Sequence, residues 1–363
     1  MSFIPISKPS ITQKEIDYVT DAIQSGWVSS LGKYIDEFED KFAKFCNTQY
    51  ALATSNGTTA LHLTLVSLGI TKDDEIIIPD FTFVATASAV KYIGAKVITV
   101  DIEEDALCIS PKAIEKAITS KTKAIIPVHL YGHPANMTEI NKLAKKHNLF
   151  VVEDAAEAHG AEINGKKVGG LSDAGIFSFY GNKIMTSGEG GMITTNSKHL
   201  YEKMKLLRDH AMSKDKRYWH TEVGFNYRMT NLQAALGVAQ FYRINELLHK
   251  KREIFYWYKE FLKDTPNIKL NSELKGYKNV YWMVCIEILN YNETKRDDLI
   301  IKLKERKIDS RPYFYPVSDM PMYKKADTPI THKIYQRGIN LPSYFDITKE
   351  QARYICKEFK ELL

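Results

Sequence analysis

Lys183 is the residue of this sequence best placed to do chemistry. It follows an apolar, aromatic run (Ile176, Phe177, Phe179, Tyr180) and a Gly181-Asn182 break. It precedes a glycine cluster, Gly188, Gly190 and Gly191, that encloses Glu189, and then the β-branched run Met192–Thr195. The flanking runs have the length and residue types of buried strands. A lysine in a turn between such strands is expected to have largely apolar neighbours. Desolvation there disfavours the ammonium and frees the amine for carbonyl chemistry. An ordinary hairpin with a surface lysine fits this stretch equally well. Glu189 reads more simply as loop structure than as a catalytic group.

Two further stretches bear on that choice. Ser55-Asn56-Gly57-Thr58-Thr59 leads from the short apolar run Tyr50–Thr54 into the helical pattern ALHLTLVSLGI. A polar turn feeding a helix start offers unpaired amides at the positive end of the helix dipole, which suits a phosphate. It is neither a Walker motif nor GxGxxG, and a capped helix without a ligand remains open. Asp154 ends the apolar run Leu149–Glu153. A lysine, a phosphate cradle and a buried carboxylate are the three attachments pyridoxal phosphate needs. The lysine forms a Schiff base, the cradle holds the phosphate, and the carboxylate keeps the ring nitrogen protonated. The Ser178 hydroxyl is placed to join the cradle.

These residues require a scaffold, and the pattern supplies one. Helical spacing over residues 11–25 and in KYIDEFEDKFAKF is followed by alternating short apolar runs and helical segments. Strands are predicted at Glu75–Pro79, Lys96–Val100, Lys123–His129 and Leu149–Glu153, and helices over Phe81–Tyr92, Lys112–Ile118 and Met137–Lys146. Such alternation argues for a parallel sheet wrapped by helices, with ligands at the carboxyl ends of its strands. Asp154, Ser178 and Lys183 fall there. After a long helical region reaching Leu262, strands over Lys275–Leu289 and Ser310–Tyr315, and helices over 296–307 and 348–363, predict a smaller α+β domain. We divide the chain into a large cofactor-binding domain, 1–250, and a small domain, 251–363.

The bulk properties exclude other classes. The 363 residues carry a formal charge of +6, with Lys and Arg scattered, which permits an anionic small-molecule substrate and does not call for nucleic acid. The aromatic-basic run KDKRYWH is one short loop, and Lys216 and Arg217 in it suit the phosphates of a small-molecule substrate better. His129 and His133 have a spacing that on a helix suggests a metal pair. They straddle a strand end and a proline turn without a third ligand, so no metal is expected. The four cysteines are unpaired in spacing and read as reduced thiols. No signal peptide and no run long enough to span a membrane are present, so a cytoplasmic protein is expected.

The stretches SGWVSSLGKYIDEFEDKFA, SNGTTALHL, PDFTFVATASAV, PVHLYGHPANM, VVEDAAEAHGA, FSFYGNKIMTSGEGGM, GFNYRMTNLQAALG, RPYFYPVSDMPMY and RGINLPS closely resemble the DegT/DnrJ/EryC1/StrS group of sugar aminotransferases. The resemblance covers nearly the whole chain. It implies the α/β architecture of fold type I pyridoxal-phosphate aminotransferases: a large domain with a mostly parallel sheet flanked by helices, plus a small C-terminal α+β domain. SFYGNKIMTSGEGG, GFNYRMTN and RGINLPS are most similar to members that transfer the amino group of L-glutamate to C4 of a GDP-linked 4-keto-6-deoxymannose. A dTDP- or UDP-linked ketosugar, amination at C3, and a non-catalytic sugar-binding relative stay open.

Carried over residue by residue, the resemblance implies that Lys183 is the Schiff-base lysine and then the base that moves the substrate proton. Asp154 would pair with the ring nitrogen, Glu157 would sit near the ring hydroxyl, and Phe83 would stack on the ring. The Gly57 and Thr58 backbones and Ser178 would hold the phosphate. Asn226 would reach the phosphate of the neighbouring subunit of a homodimer with shared active sites. Arg311 and Tyr315 are candidate substrate contacts, or residues facing solvent. Many relatives carry a histidine in the motif RPxFYPxH where this chain has Ser318.

Overall fold

The computed structural model describes residues 3–363. Its centre is a seven-stranded sheet in the order Tyr50–Thr54, Gly191–Thr195, Ala174–Ser178, Phe150–Asp154, Thr122–Ile125, Glu75–Pro79, Lys96–Val100. Gly191–Thr195 runs antiparallel to both neighbours, and the remaining pairs are parallel. Helices cover both faces, which is why Ile76, Ile77 and Ile78 are all buried instead of alternating. The helix Gly57–Ser67 is apolar on every side and buried over Ala60–Leu65, as expected for a helix inside a large domain.

A second, four-stranded antiparallel sheet runs Ile268–Leu270, Val284–Ile288, Gly338–Leu341, Arg311–Pro312. Leu299 and Leu303 from the helix Glu293–Glu305, and Ile355 and Phe359 from Lys349–Leu362, lie in its core. The helix Ile244–Leu262 passes from one core to the other. Its Leu247 and Leu248 belong to the large core, and Ile254, Phe255, Tyr258 and Leu262 to the small one. Ile4, far from these in sequence, also packs in the small core and bridges to Ile308.

The structure corrects several predicted elements. The predicted strand Lys275–Leu289 is split. Tyr277–Lys278 pairs with Glu162–Ile163, while Val284–Ile288 joins the small sheet. Between them Val280–Met283 crosses over, fully buried, with Tyr281 at φ 50°. A continuous apolar run cannot distinguish a strand from a buried crossover by periodicity. The strand expected to reach His129 stops at Ile125, two residues before Pro127, which has no amide for a ladder. The helix expected from Phe81 starts at Ala85, leaving Asp80–Val84 as a loop at the carboxyl edge of the sheet. The strand expected over Ser310–Tyr315 shrinks to Arg311–Pro312.

Candidate active site

The neighbouring parallel strands Phe150–Asp154 and Ala174–Ser178 end at the same carboxyl edge, with Asp154 opposite Ile176 and Ser178 two residues further on. Asp154 is buried. Its Oδ2 accepts from the Thr86 hydroxyl at 2.7 Å and its Oδ1 from the Ala156 amide at 3.2 Å. Burial pushes its carboxyl above the usual range, opposed by these two donors and by the Lys183 charge. A carboxylate has about four lone-pair sites, so acceptor capacity remains for a ligand.

Glu157 follows in the turn after the strand. Its Oε2 accepts from the Tyr131 amide at 2.9 Å and its Oε1 faces Lys183 Nζ at 3.4 Å. Burial again raises its carboxyl, with Lys183 as the main opposing influence. Lys183 lies in the loop between Ser178 and Gly191. Its side chain is 11% exposed and its amine lies 4.0 Å from the centre of the Trp282 ring. The expectation of largely apolar neighbours is therefore corrected: the amine sits between a carboxylate and an indole. Glu189 takes a loop role, its carbonyl accepting from Ser187 and Gln233.

The predicted phosphate turn is formed. Asn56 caps the helix by accepting from the Thr59 amide at 2.9 Å, while the Gly57 and Thr58 amides donate to no acceptor among the described residues. A Cβ on Gly57 would stand 3.1 Å from the Ser178 Cβ, so glycine keeps this cradle open beside the serine hydroxyl. Phe83, just ahead of the helix that carries Thr86, leaves its ring 56% exposed, with Phe314 5.8 Å away. These residues fit pyridoxal phosphate. The cradle matches a phosphate dianion, Asp154 a pyridinium nitrogen, the exposed Phe83 face a flat ring, and the Lys183 amine an aldehyde.

Other candidates lie apart from this cluster. Asn226 is exposed, its amide oxygen accepting from Arg228, and its strand-like segment is joined to the phosphate turn by the Ser55 amide donating to the Tyr227 carbonyl. Lys216 and Arg217 sit on an exposed arm against Trp219 and Tyr218. Arg311 is exposed on its short strand, and Tyr315 packs on Tyr335. Ser318 is fully buried and faces no cleft. Its amide and hydroxyl both donate to Asp80, at 2.7 and 2.8 Å, which ties the small-domain loop to the sheet edge.

The two histidines with metal-like spacing are consumed by internal bonds. His129 accepts from the Ala135 amide at Nδ1, which leaves Nε2–H to donate to Glu153 at 3.0 Å. His133 Nδ1 pairs with the Pro134 carbonyl and its ring stacks on Tyr277.

Three residues near the site escaped the sequence reading. Thr86 orients Asp154 and lies within the quoted FTFVAT stretch. Tyr131 orients Glu157 through its backbone, and Trp282 covers Lys183. Tyr131 lies within the quoted PVHLYGHPANM stretch, whereas Trp282 carries no local signal, because its role depends on a crossover that brings residues 100 positions apart together.

Comparison with known proteins bears on this site. The model of the DegT/DnrJ/EryC1/StrS aminotransferase family matches residues 9–360. The GDP-perosamine synthase of Escherichia coli O157:H7 is 45% identical over 363 residues, 99% of either chain. The GDP-perosamine synthase of Vibrio cholerae is 42% identical over 98% of either chain. Among solved structures, Helicobacter pylori PseC, an aminotransferase involved in the biosynthesis of pseudoaminic acid, matches with a TM-score of 0.95 at 29% identity over 99% of both chains. A Streptococcus pneumoniae protein assigned as a sugar aminotransferase matches in its PMP form with a TM-score of 0.94 at 27% identity, over 99% of this chain and 97% of that one. Its PLP form also has a TM-score of 0.94, at 26% identity over 99% and 98%.

Proposed function

The chain belongs to the DegT/DnrJ/EryC1/StrS aminotransferase family, and from that premise we propose that it transfers the amino group of L-glutamate to C4 of GDP-4-keto-6-deoxymannose, yielding GDP-perosamine. Its cofactor is pyridoxal 5'-phosphate. The observation that carries the reaction type is the meeting of Lys183, Glu157 and Asp154 above an open helix start at Gly57–Thr58. The choice of sugar is supported by relatives of nearly equal length named GDP-perosamine synthase.

When bound, the cofactor supplies an electrophilic carbon and a ring that withdraws electrons from the carbon bearing the amine. Lys183 Nζ would hold it covalently. Gly57, Thr58 and Ser178 would hold its phosphate, and Phe83 its ring face. Asp154 would hold the ring nitrogen in its protonated form. Its burial, unfavourable for a lone carboxylate, is offset when a cation sits against it. When not holding the cofactor, the Lys183 amine would take the proton from the donor's α-carbon and return a proton to C4 of the sugar. Glu157 Oε1, held through Oε2 by the Tyr131 amide, keeps the lysine amine within reach. We assign Lys216, Arg217, Arg311 and Tyr315 to the nucleotide sugar, and Asn226 to the phosphate of the adjoining subunit in a homodimer.

Incubation of the purified protein with L-glutamate and a panel of GDP-, dTDP- and UDP-linked ketosugars, read by mass spectrometry, tests the proposal. Amination of the GDP-linked sugar is expected. Amination of only a dTDP- or UDP-linked sugar overturns the substrate. Absence of both a bound-cofactor absorbance band and glutamate-dependent 2-oxoglutarate overturns the enzyme.

A further inference from the structure

We propose that Trp282 is a positioning residue for Lys183, gripping both the amine and the backbone of its loop. The proposal rests on the reading that Lys183 is the reactive amine. Trp282 is 4% exposed and makes two contacts with this loop, one with the Lys183 amine and one with the residue before it. The face of its indole lies 4.0 Å from Lys183 Nζ, on which a cation is attracted by the ring quadrupole. Its Nε1–H donates to the carbonyl of Asn182, the peptide immediately before the lysine, at 2.8 Å. That carbonyl has one other donor, the Ser7 hydroxyl at 3.4 Å. Among the described residues the buried Oδ1 of Asn182 has no partner, so it does not secure the loop.

Trp282 is itself held from several sides. Its amide donates to the Tyr131 carbonyl at 3.1 Å, and its own carbonyl accepts from Lys251 Nζ at 2.9 Å. Its ring lies nearly parallel to Tyr131, with centres 6.2 Å apart. Tyr131 adopts φ 52°, a left-handed conformation uncommon for a bulky side chain. The same turn aims the Tyr131 amide at Glu157 Oε2, whose Oε1 faces Lys183. Trp282, Tyr131, Glu157 and Lys183 thus form a closed circuit of contacts, and Trp282 enters it from the chain crossover between the two domains. An indole N–H donates and cannot accept, so this one side chain can hold a carbonyl and flank an ammonium without competing for either.

The test compares Trp282→Phe and Trp282→Leu with Phe255→Leu, a buried aromatic of the small core, as the structural control. The first readout is the rate at which the apoprotein captures pyridoxal phosphate, followed by absorbance. The second needs no cofactor: the labelling of Lys183 in the apoprotein by an amine-reactive ester, relative to exposed lysines, by peptide mass spectrometry. Trp282→Phe keeps the ring face and loses the carbonyl bond, so capture is expected to slow several-fold. Trp282→Leu loses both, and a misplaced amine is expected to slow capture by on the order of 10²-fold and to change Lys183 labelling severalfold. Phe255→Leu is expected to lower the thermal midpoint and move neither readout. Parent-like capture and labelling in both Trp282 variants overturn the proposal, as do equal shifts in Phe255→Leu. Should Trp282→Leu not fold, unchanged values in Trp282→Phe overturn it alone. A parent that never captures pyridoxal phosphate overturns the proposed function, and labelling then judges Trp282 by itself.

Discussion

Lys183 and Lys251 line the same narrow cleft and share Trp282 as a neighbour, yet their surroundings differ in kind. Lys183 faces one carboxylate and an aromatic surface at the carboxyl edge of the sheet. Lys251 is enclosed and has no carboxylate partner among the described residues. Its amine donates to the Trp282 carbonyl, the Ser343 carbonyl at 2.6 Å and the Ser343 hydroxyl at 3.3 Å. Burial pushes Lys251 down to about 7. By acidity alone it resembles a nucleophile poised for neutral pH. As the ammonium it has three N–H groups and three acceptors within reach, all of them protein atoms. Lys183 differs by its place: it lies in the loop that leaves Ser178, the residue beside the open helix start at Gly57. A lowered pKa without such a setting marks a structural pin.

The sharpest test of this contrast is a pair of substitutions. Lys183→Ala is expected to lower glutamate-dependent transamination by on the order of 10⁴-fold or more, while Lys251→Met keeps it within about tenfold, measured as 2-oxoglutarate release. Comparable losses in both would erase the distinction.

Asp154→Asn extends the comparison to a buried anion. If Asp154 holds the ring nitrogen as proposed, loss of its charge is expected to cut turnover by on the order of 10²-fold or more. The apoprotein should become more stable at neutral pH. The folded carboxyl titrates above its unfolded value, so its ionised form opposes folding at neutral pH, and that opposition fades as pH falls. The Asn amide still accepts from Ala156 and can donate to the Thr86 hydroxyl. Urea unfolding of the two apoproteins checks it, and a less stable variant contradicts the assigned cost.

Lys251 itself should show in the pH dependence of stability. Between about 7 and the ordinary lysine range the unfolded chain holds the proton more firmly than the folded one, so folding strengthens as pH rises. The slope is at most about 1.4 kcal/mol per pH unit. Lys251→Met should remove that component, read as the parent-minus-variant difference at pH 7, 8 and 9. A difference that stays flat contradicts the burial assigned to Lys251.

The smallest effect concerns a third environment, the exposed arm. Lys216→Ala with Arg217→Ala should leave stability within about 0.5 kcal/mol and raise KM for the nucleotide sugar several-fold with kcat little changed. An unaltered KM would take both residues out of substrate recognition.

Much of this protein was written in local sequence. The alternation of apolar runs with helical segments required a helix-wrapped parallel sheet, because both faces of each strand had to be covered. The strand ends then put Asp154 and Ser178 on one edge, and the polar turn before ALHLTL put free amides at a helix start. The motif stretches carried the family. What the chain could not announce depended on contacts between distant residues. That Lys183 meets an indole follows from a buried crossover at Val280–Met283 whose apolar run looks like any strand. That Ser318 anchors Asp80 follows from a loop 238 residues away folding onto the sheet edge, and that His129 serves Glu153 from the segment after Thr122–Ile125 lying beside Phe150–Asp154. The difference between Lys183 and Lys251 belongs to the same class. Both are lysines in the sequence, and only the packing around their amines decides which faces a carboxylate and an indole and which is held by carbonyls and a hydroxyl.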